Sequence, residues 1–154
     1  MSTNGAGAPV RWLAADEEHA WRAYLRMVTA VRTRTAQDLA GHGLSEPDYD
    51  VLSTLSERAG GTSTLHEQAG KMGWSRSRLS RHATRMEARG LIRRAPDPAD
   101  GRGCLLVLTD AGLDTLREAA PAHVASVRRH LVDRLDPSEL AALGRIAEKL
   151  ADGP

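Results

Sequence analysis

The side chains best suited to chemistry lie between residues 75 and 102. Residues 75–89 hold Arg76, Arg78, Arg81, Arg85 and Arg89, together with Ser75, Ser77, Ser80 and Thr84, and Glu87 is the single acid among them. A guanidinium offers fixed donors that grip a phosphate or a guanine edge bidentately, and hydroxyls bond phosphates or base edges. A solvated surface helix ordinarily mixes charge signs to gain i,i+4 pairs. One acid against five arginines therefore points to an anionic partner, nucleic acid foremost. A merely solvated cationic helix is the plainer alternative.

The spacing predicts the elements that carry these groups. Ser75 is an N-cap candidate, and Gly90 can close the helix in a left-handed conformation. Leu79, Ala83 and Met86 form one apolar stripe at i, i+4 and i+7. Ser77, Arg81, Thr84 and Ala88 lie opposite it, with Arg78, Ser80 and Arg85 flanking. A short helix over residues 65–72 and a turn at Gly73 and Trp74 precede this segment, which gives helix-turn-helix spacing. After it, residues 91–94 and 104–108 read as two short strands around a Pro/Asp/Gly-rich connection over residues 96–103. Arg102 sits near the tip of that hairpin, within reach of a neighbouring minor groove, with Asp97 and Asp100 before it.

The remaining chain reads as scaffold. Residues 16–40 form a helix with Asp16, Glu17 and Glu18 in its first turn and Trp21, Tyr24, Leu25, Val28 and Val31 as a stripe. Ser45 opens a second helix with Asp48 at capping-box spacing, and Gly60 and Gly61 stop it. Residues 62–64 are a candidate small strand. Thr109 caps a long helix to about Leu135 that Pro121 is expected to kink or interrupt. Asp136, Pro137 and Glu139 start a last helix running to about Ala151.

Charge is divided along the chain. Residues 71–102 hold nine Lys/Arg against three Asp/Glu, a surplus of +6, within a chain whose formal net charge is +1. The other 122 residues therefore carry −5, which concentrates the positive field where the arginine helix and hairpin lie. The 154 residues are 41% hydrophobic, without Phe, enough for one core that suits helices better than a sandwich. The single cysteine, Cys104, excludes an intramolecular disulfide framework and fits a reducing cytoplasm. No apolar stretch approaches the roughly 18 residues of a membrane span. Residues 1–15 are expected to be a flexible tail and not a signal peptide.

Asp97-Pro98-Ala99-Asp100-Gly101-Arg102, followed by Leu108-Thr109-Asp110-Ala111-Gly112, resembles the wing motif of the MarR family and the start of its next helix. Residues 75–81 and 86–94 resemble that family's recognition helix and the strand after it. The resemblance runs from about residue 16 to 150. It implies a mainly α fold with a small β-hairpin wing. The winged helix-turn-helix core, about 45–109, is flanked by dimerisation helices, about 16–40 and 110–151, in a single domain over 16–151. It implies a homodimeric, cytoplasmic, bacterial or archaeal transcriptional regulator. Such a regulator binds a pseudo-palindromic double-stranded operator, often as a repressor, and a small-molecule effector or stress signal releases it. Carried over by position, Ser75, Arg76, Ser77, Arg78, Ser80 and Arg81 face the major groove. Arg102 enters the minor groove, and Asp100 steadies the wing by pairing with an arginine. Simple turn formation explains Asp100 equally well. Arg85, Arg89, Arg93 and Arg94 are phosphate contacts or intramolecular ion-pair partners, two readings that the sequence leaves open.

Trp21, Tyr24 and Tyr49 are candidates for an effector cleft, against ordinary packing. Cys104 is a redox candidate, against a small strand residue. The six histidines show no ligand spacing, so no metal site or cofactor is expected. No nucleophile elbow, phosphate loop or carboxylate pair supports catalysis. Two other functions use the same fold: a winged-helix module that binds protein, and a nucleoid-type DNA binder of low specificity.

Overall fold

A computed structural model describes residues 9–153. Of the tail expected over residues 1–15, the first eight lie outside the described residues, and residues 9–14 are exposed and without regular structure. The elements run α1 (Ala15–Ala40), α2 (Glu46–Glu57), a 3-10 turn (Ala59–Gly61), β1 (Thr62–Thr64), α3 (Leu65–Met72), α4 (Arg76–Ala88), β2 (Ile92–Asp97), β3 (Asp100–Leu108), α5 (Asp110–His130), a second 3-10 turn (Val132–Arg134) and α6 (Pro137–Ala151).

The helix starts follow their caps. Ser45, Thr64, Ser75 and Thr109 each accept a backbone N–H two or three residues into the helix they open, and the Asp136 carboxylate accepts two. The helix-turn-helix turn depends on Gly73, whose φ of 64° is left-handed and strained for any residue with a Cβ. The strands form one antiparallel sheet in the order β1-β3-β2, with Ser63 opposite Leu106 and Arg94 opposite Leu106 from the other side.

One core joins these elements. Leu39 from α1, Val51, Leu52 and Leu55 from α2, Leu79, Ala83 and Met86 from α4, Ile92 and Leu106 from the sheet, and Leu116 and Ala119 from α5 are all buried together. The Leu79, Ala83 and Met86 stripe thus seats α4 with its arginine face turned away from the core. The flanking helices α1 and α5 thus contribute to the same core as the helix-turn-helix and the sheet.

Three expectations need correction. The hairpin connection is shorter than residues 96–103, because β2 runs to Asp97 and β3 starts at Asp100. Strand pairing overrides the turn-forming composition, and the irregularity is confined to a register shift at Pro96 and Asp97. The long helix ends at His130, where Leu131 leaves helical geometry, and not at Leu135. Of the kink or interruption expected at Pro121, the interruption does not occur, because α5 runs through it. Both Pro121 and Arg117, whose carbonyl loses its N–H partner, lie on the exposed side of the helix, where solvent can satisfy a freed acceptor.

Candidate nucleic-acid interface

The arginine helix is presented by contacts at both of its ends. At its start the Ser75 hydroxyl accepts the Arg78 N–H at 3.2 Å, so Ser75 is engaged as a cap. Beyond its end, Gly90 turns the chain with φ 74° into β2. The Thr109 hydroxyl lies 2.6 Å from the Gly90 carbonyl and 2.9 Å from that of Leu91, while it accepts the Gly112 N–H at 3.0 Å. The first turn of α5 is thereby fastened to the exit of α4.

The arginines separate into distinct environments. Arg76, Arg81 and Arg102 are exposed, and among the described residues their side chains make no hydrogen bond or ion pair. Ser77 is also exposed. Arg76 borders a depression of about 260 Å³ shared with Asp97, Asp100 and Gly103, which places the wing beside the first turn of α4. Arg78 is exposed, but its guanidinium lies 3.8 Å from the Trp74 ring centroid, a cation–π contact.

Arg94 is turned inward. Its guanidinium reaches Thr84 Oγ1 at 2.9 Å, Ser80 Oγ at 3.4 Å and Glu87 Oε1 at 3.5 Å. The other Glu87 oxygen accepts the Arg94 backbone N–H at 2.7 Å. Ser80, Thr84 and Arg94 therefore bind one another across α4 and β2. Arg89 is also intramolecular: it bonds Asp48 Oδ2 at 2.8 Å and the Gly43 carbonyl. Arg85 is exposed, with Nη2 3.3 Å from His82 Nδ1.

Asp100 orders the wing as a turn residue. Its Oδ1 accepts the Arg102 N–H at 3.0 Å, and Asp97 Oδ1 accepts the Ala99 N–H at 2.9 Å. Neither carboxylate forms an ion pair among the described residues. The tip is thus set by side chain-to-backbone bonds within the hairpin, which leaves the Arg102 guanidinium free.

The aromatic candidates do not form one cleft. Trp21 and Tyr24 stack at 5.8 Å on the exposed side of α1, while Tyr49 of α2 packs on His123 of α5 at 4.2 Å. Burial raises the Tyr49 phenol and lowers the His123 imidazole, although Asp50 and Glu46 act on His123 in the opposite direction. Cys104 is a partly buried free thiol beside the depression that Arg76 borders. Among the described residues, no three His, Cys, Asp or Glu side chains are grouped as metal ligands. No helix among them is long and apolar enough to cross a membrane.

Sequence reasoning missed Asp48, His82 and Trp74. The spacing of Ser45 and Asp48 shows only a cap, yet this buried carboxylate also meets Arg89 and lies 3.0 Å from His82 Nε2. Burial alone would raise its pKa, but His82, the Ser45 N–H and Arg89 together hold it well below the usual carboxylate range. Only the i,i+4 spacing of Trp74 and Arg78 offered a signal in the sequence.

The model of the MarR family matches residues 42–103, from the turn before α2 through the wing. Among curated proteins, the transcriptional regulator HosA of Escherichia coli O111:H- is 30% identical over 107 residues, covering 70% of this chain and 77% of that protein. AbsC, a MarR family transcriptional regulator from Streptomyces coelicolor, has a solved structure that is 40% identical to this chain. The likeness covers 93% of this chain and 97% of that one, with a TM-score of 0.88. The chain belongs to the MarR family. Sco3205, a MarR family regulator from the same organism solved in complex with DNA, is 35% identical over 96% of this chain and 92% of that one, with a TM-score of 0.90. As a MarR family member the protein is a DNA-binding transcriptional regulator and not an enzyme.

Proposed function

We propose that this MarR-family protein is a homodimeric, cytoplasmic repressor of a bacterium or archaeon. In this reading α4 enters the major groove of a pseudo-palindromic operator and the wing enters the adjacent minor groove. The observation that carries it is the division of the arginines. Arg89 and Arg94 are satisfied within the fold, whereas Arg76, Arg81 and Arg102, unpaired among the described residues, lie on α4 and the wing. Side chains that stay unpaired and cationic on one helix and one hairpin tip suit a polyanion with a groove spacing. Arg76, Ser77, Arg78 and Arg81 are the groove contacts in this reading, and Arg102 the minor-groove contact. Arg85 is a phosphate contact. Arg94, Ser80 and Ser75 act mainly to hold α4.

Dimerisation through α1, α5 and α6 is supported by α6, which has no buried residue although Leu140, Leu143, Ala147 and Leu150 form a stripe. Ile146 is 56% exposed and Leu150 70% exposed, which a stable helix of this composition covers with a partner. On this reading residues 16–151 form one domain, with the DNA-binding core at about 45–109. The release signal is a small molecule or a stress.

Gel shifts with a duplex from the protein's own upstream region, against a random duplex of equal length, test the proposal. Specific, strongly salt-dependent binding with two half-sites about one helical turn apart is expected. Equal affinity for both duplexes would make the protein a low-specificity binder.

A further inference from the structure

Beneath the exposed arginines lies a buried polar chain that links α4 to α2. His82, on the inner side of α4, is only 7% exposed. Its Nδ1 is 3.3 Å from Arg85 Nη2. A guanidinium only donates, so Nδ1 is the bare acceptor and the ring proton sits on Nε2. Nε2 lies 3.0 Å from Asp48 Oδ1, within ion-pair distance though off hydrogen-bond alignment, and no other group among the described residues is placed to accept from it. Asp48 cannot swing away, because Oδ2 accepts the Ser45 N–H at 2.9 Å and Arg89 Nη1 at 2.8 Å.

The same ring supports a second arginine. Trp74 meets His82 edge-on, with ring centroids 5.6 Å apart and planes at 83°. The Arg78 guanidinium rests on that indole. A surface cleft of about 460 Å³ opens beside Trp74, Arg78, His82 and Arg85, so both arginines have room to swing elsewhere. The contacts to His82 and Trp74 restrict them. A long side chain held in place before binding loses less rotamer freedom when it meets its partner.

We propose that His82, backed by Asp48, is a positioning residue for DNA binding: it orders Arg85 directly and Arg78 through Trp74. The proposal rests on the reading of α4 as the recognition helix. Leu79, Ala83 and Met86 explain why α4 is buried, but they leave the arginine directions open. The Asp48-His82 pair supplies them, together with a firm stop against α2.

Two measurements separate this proposal from the DNA reading itself. Nitrogen-15 shifts of the free protein should show His82 as the Nε2–H tautomer, and an Nδ1–H tautomer would overturn the bracket whatever the protein binds. Anisotropy titrations with the upstream duplex over a range of salt then compare His82→Leu, which fills the site without bridging it, with His82→Gln, which can both accept and donate. His82→Leu is expected to weaken binding roughly tenfold and to reduce the salt slope by about one. His82→Gln should recover most of both. In an Arg78→Ala, Arg85→Ala background, His82→Leu should add little, whereas a packing role would keep its full effect there. Wild-type affinity in His82→Leu, or an undiminished loss in that background, refutes the proposal. Trp74→Leu gives the same cycle for Arg78 alone, should His82→Leu fail to fold. If the wild type binds no duplex, the DNA reading fails, and the tautomer still decides the bracket.

Discussion

Gly112 and Leu91 approach so closely that a Cβ built on Gly112 would lie 2.0 Å from the Leu91 carbonyl oxygen. The contact joins the first turn of α5 to the chain leaving α4, beside the Thr109 hydroxyl. It gives a steric reason for glycine in the Thr109-Asp110-Ala111-Gly112 segment. The conformation is helical, so space and not backbone angle is limiting. Gly112→Ala is expected to lower stability by about 1–3 kcal/mol, read by urea denaturation, because backbone must shift to admit the methyl group. Operator affinity should fall with it, since the exit of α4 moves. Unchanged stability would show that the junction yields easily.

Arg81 and Arg94 should behave differently although both are basic residues of the same lobe. Arg81→Ala removes a guanidinium that is unpaired among the described residues. It should weaken duplex binding by about tenfold and flatten the salt dependence by about one unit of slope, with little change in melting. Arg94→Ala removes the ties to Ser80, Thr84 and Glu87. It should cost on the order of 1 kcal/mol of stability first. Parallel melts and salt titrations distinguish the two.

Asp48 should govern the acid limb of stability. Its folded pKa lies below the unfolded value of about 3.9. Its contribution is therefore fully present above that value and is lost as pH falls from about 4 towards the depressed folded value. Asp48→Asn should flatten the pH dependence of unfolding free energy in this range. At neutral pH it should cost on the order of 2 kcal/mol, through weaker bonds to Arg89 and His82. An acid limb identical to wild type would show that other carboxylates set it.

The apolar surface of α6 should be an interface. Ile146→Glu combined with Leu150→Glu places two carboxylates where an apolar partner face is expected. Sedimentation should shift from dimer to monomer, with loss of tight operator binding. A dimer that persists would place the interface elsewhere on α1 or α5.

By itself the sequence determined the elements, their order and the charged face. Helix starts were legible because Ser45, Ser75, Thr109 and Asp136 cap through contacts two or three residues away. The Leu79, Ala83 and Met86 stripe set the exposed face of α4 by periodicity alone. Two departures were also local in origin: strand pairing extended the wing past its turn residues, and the exposed position of Pro121 let α5 continue through it. Tertiary structure alone decided which arginines remain free. Nothing in residue spacing tells that Arg94 folds back on Ser80 and Thr84, that Arg89 closes on Asp48 across 41 residues, or that Arg81 finds no partner among the described residues. A guanidinium is long, flexible and cationic wherever it occurs. Its role depends on which acceptor the fold brings within about 3 Å, and that is a property of three dimensions.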